Sequence, residues 1–575
     1  MYDLVIRGGT VIDGTGSERR RADVAVDDGR IVAVGDLGGA SATQTVDADG
    51  LLVTPGWVDI HTHYDGQATW DDVLAPSSWH GVTTLVMGNC GVGFAPARPD
   101  RHDWLIGLME GVEDIPGTAL AEGLTWDWES FPDYLDALDR QHWTVDVGTQ
   151  IAHGAVRAYV MGDRGAHNEP ATPDDIAEMK AIVKAAVAAG ALGFSTSRTI
   201  AHLAIDGEPV PGTFAAEDEL FGIGAALGEL GTGVFELAPA GVAGEDVAAP
   251  AKEVDWMRRL SMACGRPVTF AMLQVDSAPD LWRELMDTSL RAVAEGADLW
   301  PQVAARATGL LSGHFASLCL FEHIPAYQAL KAENPEPAAL VAALRRPDVR
   351  RQIVTWDPGT AAARMEDAYR NTYVLGTPPD YEPGPERSLA SMAAAVGRHP
   401  LEVAYDAMLE DDGQALLYVP ILNYASGDLE PARTMLLYPR AAAGLGDGGA
   451  HCGVICDSSQ PTFMLTHWTR DRTRGEKLPL ELMVKKQTHD TAMLYGLGDR
   501  GTLTPGTVAD INVIDYENLQ LGTPKVVADL PAGGRRLLQD ATGYVATIKS
   551  GVTTFSAGRD TGERPGVLLR GARSL

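Results

Sequence analysis

The stretch PGWVDIHTH, at residues 55–63, combines a Pro-Gly turn, an apolar run and two histidines separated by one residue. The apolar run predicts a buried strand over residues 56–63. Because residues i and i+2 of a strand point to the same face, we expect His61 and His63 to face inward together at its end. Two imidazoles this close suit a divalent metal ion, most often zinc. The alternative is a pair of histidines that only pack in a core.

Strands and helices alternate downstream of this stretch. Further apolar runs predict strands at residues 81–90, 144–153, 191–195, 233–237, 266–274, 296–303 and 441–447. Before the fourth strand, Thr172, Pro173 and Gly190 predict the N-cap, the first turn and the end of one helix. Eight alternating units predict the α/β class and a parallel (β/α)₈, TIM-like barrel, which we expect to span residues 56–499.

The segment at about 304–440 is too long for one barrel helix. It contains helical patterns and loops rich in Pro and Gly, such as residues 376–385. We interpret it as an insertion after strand seven, on the rim where barrel enzymes carry their catalytic loops. An insertion there is able to fold over the site as a lid.

Composition and charge limit the partners of the chain. It has 46 basic and 78 acidic residues, a net charge of −32, which opposes binding to nucleic acid or to an anionic membrane. Its five cysteines suggest no disulfide framework and suit a reducing cytoplasm. We find no signal peptide and no apolar stretch that predicts a membrane span. The chain is therefore predicted to be cytoplasmic, and the sequence leaves open whether it forms a homo-oligomer.

Several motifs together resemble one group of enzymes. Besides HTH at 61–63, they are DLVIRGGTVIDG at 3–14, GVTT at 81–84, GNCG at 88–91, AHG at 152–154, GALGFST at 190–196, DGGAH at 447–451, and the GTL, PG and ADI pieces within 501–511. This set resembles the amidohydrolase superfamily and, more narrowly, its D-aminoacylase branch, the N-acyl-D-amino-acid deacylases. The resemblance implies zinc-dependent hydrolysis of a small acylated amino acid. It also implies a small β-sandwich domain built from residues 1–55 plus 500–575, where turn-punctuated β runs occur.

The resemblance assigns roles to further residues. It implies that Cys90 is a metal ligand and that Asp447 is the general base, which takes a proton from the attacking water and passes it to the leaving nitrogen. A packed thiol and a turn aspartate are the alternatives. Because the substrate carries a carboxylate, a guanidinium is expected to bind it, with Arg198 as first candidate and Arg157 as second. His153 is a further substrate-binding candidate.

The chain departs from the D-aminoacylase pattern at strands five and six. The metal histidines expected there are absent from residues 233–237 and 266–274. Glu236 is able to replace one ligand, whereas Gln274 is a poor zinc ligand. In the simplest site, His61, His63 and Asp447 hold one ion, together with Cys90 or Glu236. Whether a second ion binds is left open. Three other histidines are possible replacements for the missing metal ligands, with none preferred: His153, His202 and His314. His451 is interpreted as a loop residue.

Two other functions stay open. A cyclic-amide or lactone hydrolase of the same superfamily often carries a bridging lysine on strand four, but the residues around Ser195 include none. A catalytically inactive barrel that serves as a scaffold or binding protein would explain the missing histidines. The retained His61, His63, Cys90 and Asp447 oppose it, because each is costly to bury without a partner.

Overall fold

The structure, a computed structural model, describes residues 1–571. Its N-terminal segment consists of short strands separated by glycine turns, as the β-rich runs predict. These strands are β1 (Tyr2–Val11), β2 (Arg20–Asp27), β3 (Arg30–Gly35), β4 (Ala42–Asp47) and β5 (Leu52–Pro55). The sequence does not predict β4, because its largely exposed residues ATQTVD show no clear alternation of apolar and polar side chains.

Parallel strands and helices alternate in the next part of the chain. The strands are β6 (Trp57–Asp59), β7 (Val82–Met87), β8 (Asp146–Thr149), β9 (Ile151–Ala152), β10 (Gly193–Ser197), β11 (Val234–Ala238), β12 (Val268–Ala271) and β13 (Leu299–Val303). The helices are α1 (His102–Glu113), α2 (Gly117–Gly123), α3 (Phe131–Leu138), α4 (His153–Met161), α5 (Asp163–Ala166), α6 (Pro173–Ala189), α7 (Glu217–Leu230), α8 (Ala249–Cys264) and α9 (Leu281–Ala294). The predicted ends of α6 are confirmed, since Thr172 caps it in a capping box with Asp175 and Gly190 follows it.

The segment interpreted as an insertion has a core of its own. Its elements are β14 (Thr308–Ser312), α10 (Pro325–Glu333), α11 (Pro337–Leu344), α12 (Pro347–Val354), α13 (Ala362–Arg370), β15 (Tyr373–Val374), α14 (Leu389–Val396), α15 (Pro400–Met408), β16 (Leu417–Leu422) and α16 (Glu430–Leu436). The strands pair antiparallel in the order β14-β16-β15. Phe321, Tyr327 and Tyr405 lie in a buried apolar cluster formed by this segment alone.

The remaining elements lie between residue 442 and the C-terminal part of the chain. They are β17 (Ala442–Ala443), α17 (Gln460–Thr466), α18 (Leu480–Lys486), α19 (His489–Leu494), β18 (Ile511–Ile514), β19 (Gln520–Leu521), β20 (Lys525–Val527), β21 (Arg536–Leu538), β22 (Ala541–Thr542), β23 (Tyr544–Lys549), β24 (Val552–Ser556) and β25 (Arg559–Asp560). Within residues 1–571, we find no helix with the length and apolar character needed to cross a bilayer.

One sheet contains strands from both ends of the chain. Its order is β25-β24-β23-β18-β5-β1-β2-β3, with β4 paired to β1. The two ends meet where β18 runs antiparallel to β5, with Ile511 opposite Pro55. Later residues leave this sheet, since Gly566 bridges to Trp143, just before β8, and Leu568 bridges to Val147 within β8.

The parallel strands form two groups that adjoin each other. The first has the order β6-β7-β8 and the second β9-β10-β11-β12-β13-β17, and only Gln150 separates β8 from β9. At the other side, Thr62 and Gly448 form a parallel bridge between the segments that follow β6 and β17. Both groups also contribute to one buried apolar cluster, which includes Val58, Val86, Leu192, Val234 and Ala442.

Several predicted strands are shorter than the sequence suggests, among them the one predicted over 266–274, which is only Val268–Ala271. The strand predicted over 56–63 begins at Trp57 and ends at Asp59, and the one predicted over 441–447 is only Ala442–Ala443. After β17 the backbone turns away from the sheet, because Leu445 and Asp447 have φ values of 59° and 46°. These left-handed conformations are incompatible with a strand.

The buried Lys486 provides a stability prediction. Its Nζ donates hydrogen bonds to the carbonyl oxygens of Tyr438 (2.8 Å) and Ala441 (2.6 Å), and burial lowers its pKa from 10.5 to about 8. Between pH 8 and pH 10.5 the unfolded chain therefore binds more protons than the folded chain, so the free energy of unfolding rises with pH over this range. We expect Lys486→Met to remove this rise, which amounts to at most about 3 kcal/mol. Urea unfolding at pH 7.5 and pH 10 measures it, with exposed Lys252→Met as control. A variant that keeps the wild-type rise would contradict the prediction.

Candidate metal centre

Three predicted ligands converge at the C-terminal ends of the first two parallel strands. His61 and His63 follow β6, and Cys90 follows β7. Their ligand atoms all lie within 4.8 Å of one another, and all three side chains are buried. The Nε2 atom of His61 lies 3.4 Å from the Sγ atom of Cys90.

Asp447 approaches this cluster from the segment after β17. Its Oδ1 atom lies 3.4 Å from His61 Nε2 and 3.8 Å from His63 Nε2. Neighbouring ligands of a tetrahedral zinc ion are about 3.4–3.8 Å apart, since the bonds to nitrogen and sulfur measure roughly 2.0–2.3 Å. His61, His63 and Cys90 therefore have the donor types and spacing that fit a divalent ion, and Asp447 adds a carboxylate at ligand spacing from both histidines.

The electrostatics of the cluster also favour a cation. Burial, followed by the nearby carboxylates of Glu236, Glu113 and Asp447, raises the pKa of the Cys90 thiol. Burial lowers the pKa of His61 to about 4, so its imidazole is neutral and able to bind metal. A bound cation reverses the effect on the thiol, because it stabilises the thiolate and offsets the repulsion among the acids.

The backbone is left-handed at three residues of the site. Cys90, Asp447 and His451 have φ values of 54°, 46° and 51°, which are uncommon for residues other than glycine. Such conformations persist when the surrounding structure enforces them, and they cluster at functional sites. The strain thus orients the side chains of two candidate ligands and of one neighbouring histidine.

Glu236 lies beside the cluster on β11. Its Oε2 atom accepts a hydrogen bond from the Cys90 backbone N–H at 2.9 Å, and its Oε1 atom lies 3.8 Å from His61 Nδ1. The Oε1 atom has no hydrogen-bond partner in the described part of the chain. Burial raises the pKa of Glu236 to about 8. The side chain is therefore available to a cation, although its contacts in the structure are to His61 and Cys90.

The structure adds residues that sequence reasoning does not select. Gln302 Oε1 lies 2.8 Å from His61 Nδ1, and Glu113 Oε1 lies 3.3 Å from His63 Nδ1. A polar side chain near the end of the apolar strand β13 is a signal that would reveal Gln302. Glu113, at the end of α1, has no comparable signal. His451 follows β17 in a loop, as interpreted, but it faces the site, with Nε2 3.8 Å from Glu113 Oε2.

The predicted substrate-binding residues form internal pairs. Arg157 is buried, and its Nη1 atom lies 2.5 Å from Glu219 Oε1. His153 contacts the same carboxylate, with Nε2 2.9 Å from Glu219 Oε1. Arg198 is 15% exposed and pairs with Glu253 at 3.0 Å. None of these contacts joins the four-residue cluster, so substrate binding by these residues stays a prediction.

The remaining histidine candidates differ in position. His202 Nδ1 lies 3.0 Å from Ser197 Oγ, at the end of β10, and the proximity of His451 and His61 contributes to lowering the pKa of His202 after burial. His314 instead contacts Tyr327 Oη at 3.0 Å, beside the separate apolar cluster that contains Phe321, Tyr327 and Tyr405. Of these two, only His202 is close to the candidate metal centre.

The chain is similar to known proteins over most of its length. A family model described as "Amidohydrolase family" matches residues 44–555. D-aminoacylase of Alcaligenes xylosoxydans xylosoxydans is 28% identical over 573 residues, covering 99% of this chain and 97% of that protein. N-acyl-D-aspartate deacylase of the same organism is 26% identical over 570 residues, covering 99% and 95%. The resemblance to the D-aminoacylase branch is thereby confirmed.

Solved structures show the same mixed α/β fold. A D-aminoacylase structure described with a binuclear metal center matches with a TM-score of 0.65 at 24% identity, covering 99% of this chain and 100% of that chain. N-acyl-D-glutamate deacylase from Bordetella bronchiseptica, complexed with zinc and a phosphonate inhibitor, matches with a TM-score of 0.64 at 23% identity, covering 99% of each chain.

Proposed function

This chain belongs to the amidohydrolase family, and we propose that it is a metal-dependent hydrolase that deacylates N-acyl-D-amino acids. One observation carries the proposal: the ligand atoms of His61, His63 and Cys90 lie within 4.8 Å of one another where adjacent parallel strands end, and the Asp447 carboxylate lies beside Nε2 of both histidines. The D-aminoacylase relative supports the reaction class, since the similarity extends over 99% of this chain. The preference for the D enantiomer rests on that relative.

We propose that the two groups of parallel strands are parts of one (β/α)₈ barrel at residues 56–499. The bridge between Thr62 and Gly448 and the shared apolar cluster support its closure. The sheet shared by both termini supports a β-sandwich domain made of residues 1–55 plus 500–575, although Gly566 and Leu568 bridge to Trp143 and Val147 instead and residues 572–575 lie outside the described part of the chain. The separate core within 304–440 supports an insertion, which we propose as a lid on the catalytic rim.

The metal is proposed to be zinc. His61, His63, Cys90 and Asp447 are the proposed ligands of one ion, because nitrogen, thiolate and carboxylate donors suit zinc. Glu236 is the proposed additional ligand should a second ion bind, since its Oε1 atom has no hydrogen-bond partner within residues 1–571. A bound zinc ion supplies Lewis acidity, which lowers the pKa of the attacking water and polarises the scissile carbonyl.

The residues of the chain then have distinct tasks. Asp447 accepts a proton from the attacking water and delivers it to the leaving nitrogen. Gln302 holds the imidazole of His61 through Nδ1, which leaves Nε2 directed at Asp447. Of the two arginine candidates, Arg198 is the better one for the substrate carboxylate, because it directly follows β10 and is partly exposed, whereas Arg157 is buried against Glu219.

The function is tested by a hydrolysis screen with metal quantified in the same preparation. We expect cleavage of N-acyl-D-amino acids over their L enantiomers, loss of activity on chelation, and recovery with Zn²⁺. We also expect chelation to lower the melting temperature, since a ligand at 1,000 times its Kd stabilises the folded state by about 4 kcal/mol. Cleavage of hydantoins or lactones instead would favour a cyclic-amide or lactone hydrolase. A protein that binds no metal and cleaves none of these substrates would favour the scaffold.

A further inference from the structure

We propose that Glu113 is a positioning residue, which orients the metal-facing His63 and connects it to the loop that carries Asp447. The inference rests on the proposed metal site. Glu113 ends α1, and its side chain is 2% exposed. A carboxylate so deeply buried needs a partner that offsets the loss of hydration.

The contacts of Glu113 identify its partners as two imidazoles. Its Oε1 atom lies 3.3 Å from His63 Nδ1, and its Oε2 atom lies 3.8 Å from His451 Nε2. His63 Nδ1 makes no hydrogen bond within residues 1–571, and Glu113 Oε1 is a carboxylate oxygen placed close enough to accept its N–H after a small rotation. The arrangement parallels that of His61, whose Nδ1 faces Gln302 Oε1 at 2.8 Å. Each histidine thus has an oxygen at Nδ1 and directs Nε2 toward Asp447.

The chemistry of such a pair is well defined. A carboxylate that accepts the Nδ1–H of a ligand histidine fixes the tautomer in which Nε2 carries the free lone pair. It also raises the basicity of that nitrogen, and removing the partner typically weakens metal binding by about 10- to 100-fold. Glu113 therefore keeps His63 in the tautomer and orientation that bind metal, without contacting the metal itself.

The backbone holds Glu113 in place from the side of Asp447. The N–H of His451 donates a hydrogen bond to the Glu113 carbonyl oxygen, and the N–H of Gly453 donates one to Asp114 Oδ2 at 2.9 Å. Asp114, the C-cap residue that follows α1, adopts the left-handed conformation, with φ of 50°. The end of α1 is consequently attached to residues 451–453, just after the proposed general base.

Metal titration of the chelated protein tests the proposal. For Glu113→Leu we expect Zn²⁺ affinity, measured by competition with a chromogenic chelator, to fall 10- to 100-fold. For Glu113→Gln we expect a fall of less than about 10-fold, because the amide oxygen is still able to accept the Nδ1–H. The absorption spectrum of the Co²⁺ form should change in the same order. Glu110→Leu, one turn earlier on α1, is the matched control and should bind like the wild type.

The outcomes separate this inference from the proposed function. If the wild type binds no metal, the proposed function fails. If the wild type binds metal and Glu113→Leu binds it with equal affinity, the positioning role is wrong. Equal and large losses in Glu113→Leu and Glu113→Gln would also overturn it, because they would make Glu113 a ligand. The melting temperatures of the chelated variants show whether each is folded.

Discussion

Asp447→Asn is expected to lower kcat by about 10²- to 10⁴-fold, the usual contribution of a general base. Asparagine has nearly the shape of aspartate, so the Oδ1 position beside His61 Nε2 (3.4 Å) and His63 Nε2 (3.8 Å) stays occupied by an oxygen. The amide cannot accept the proton of the attacking water at neutral pH. We therefore expect most of the bound metal to remain while turnover is lost.

Steady-state kinetics with metal analysis of the same sample checks this prediction. Asp139→Asn, an exposed aspartate that follows α3, is the control and should keep wild-type kcat and metal content. An Asp447→Asn variant with wild-type turnover would refute the role of general base. Loss of metal in parallel with turnover would instead make Asp447 chiefly a ligand.

The local signals in the sequence predict the regular elements well. Thr172 and Gly190 delimit α6 because capping depends on residues that are adjacent in the chain. The ends of the strands at the site are predicted poorly. His61, His63 and Asp447 lie beyond the regular strands, where bridges and left-handed residues replace the ladder. Their convergence is nevertheless foreseeable, since parallel strands end at a common edge.

A residue that reaches the site from a helix between two strands is not foreseeable from its own surroundings in the sequence. Glu113 occurs in an ordinary amphipathic helix, and only the packing of α1 against residues 451–453 brings it to His63. Gln302 differs, because a polar side chain near the end of the buried strand β13 is a local anomaly. Arg157 and Arg198 show the converse: their charge suggests substrate binding, yet their measured partners are Glu219 and Glu253.

His61→Ala is expected to have the second large effect, because this imidazole is central to the cluster. It contacts Cys90 Sγ at 3.4 Å, Asp447 Oδ1 at 3.4 Å and Gln302 Oε1 at 2.8 Å. Without it, we expect the stoichiometry of bound metal to fall well below that of the wild type. Activity should then fall by about 10³-fold or more, since the proposed activation of water depends on the metal.

A second buried histidine provides the matched control for His61. His80 hydrogen-bonds Thr462 Oγ1 at 2.8 Å and the Gln539 carbonyl oxygen at 2.9 Å, and it makes no contact with the candidate metal centre. We expect His80→Ala to lower the melting temperature, because these groups lose buried partners. Its folded fraction should keep the wild-type ratio of metal to protein. If His61→Ala kept that ratio as well, the cluster would not be the metal site, and the proposed hydrolase would lose its structural basis.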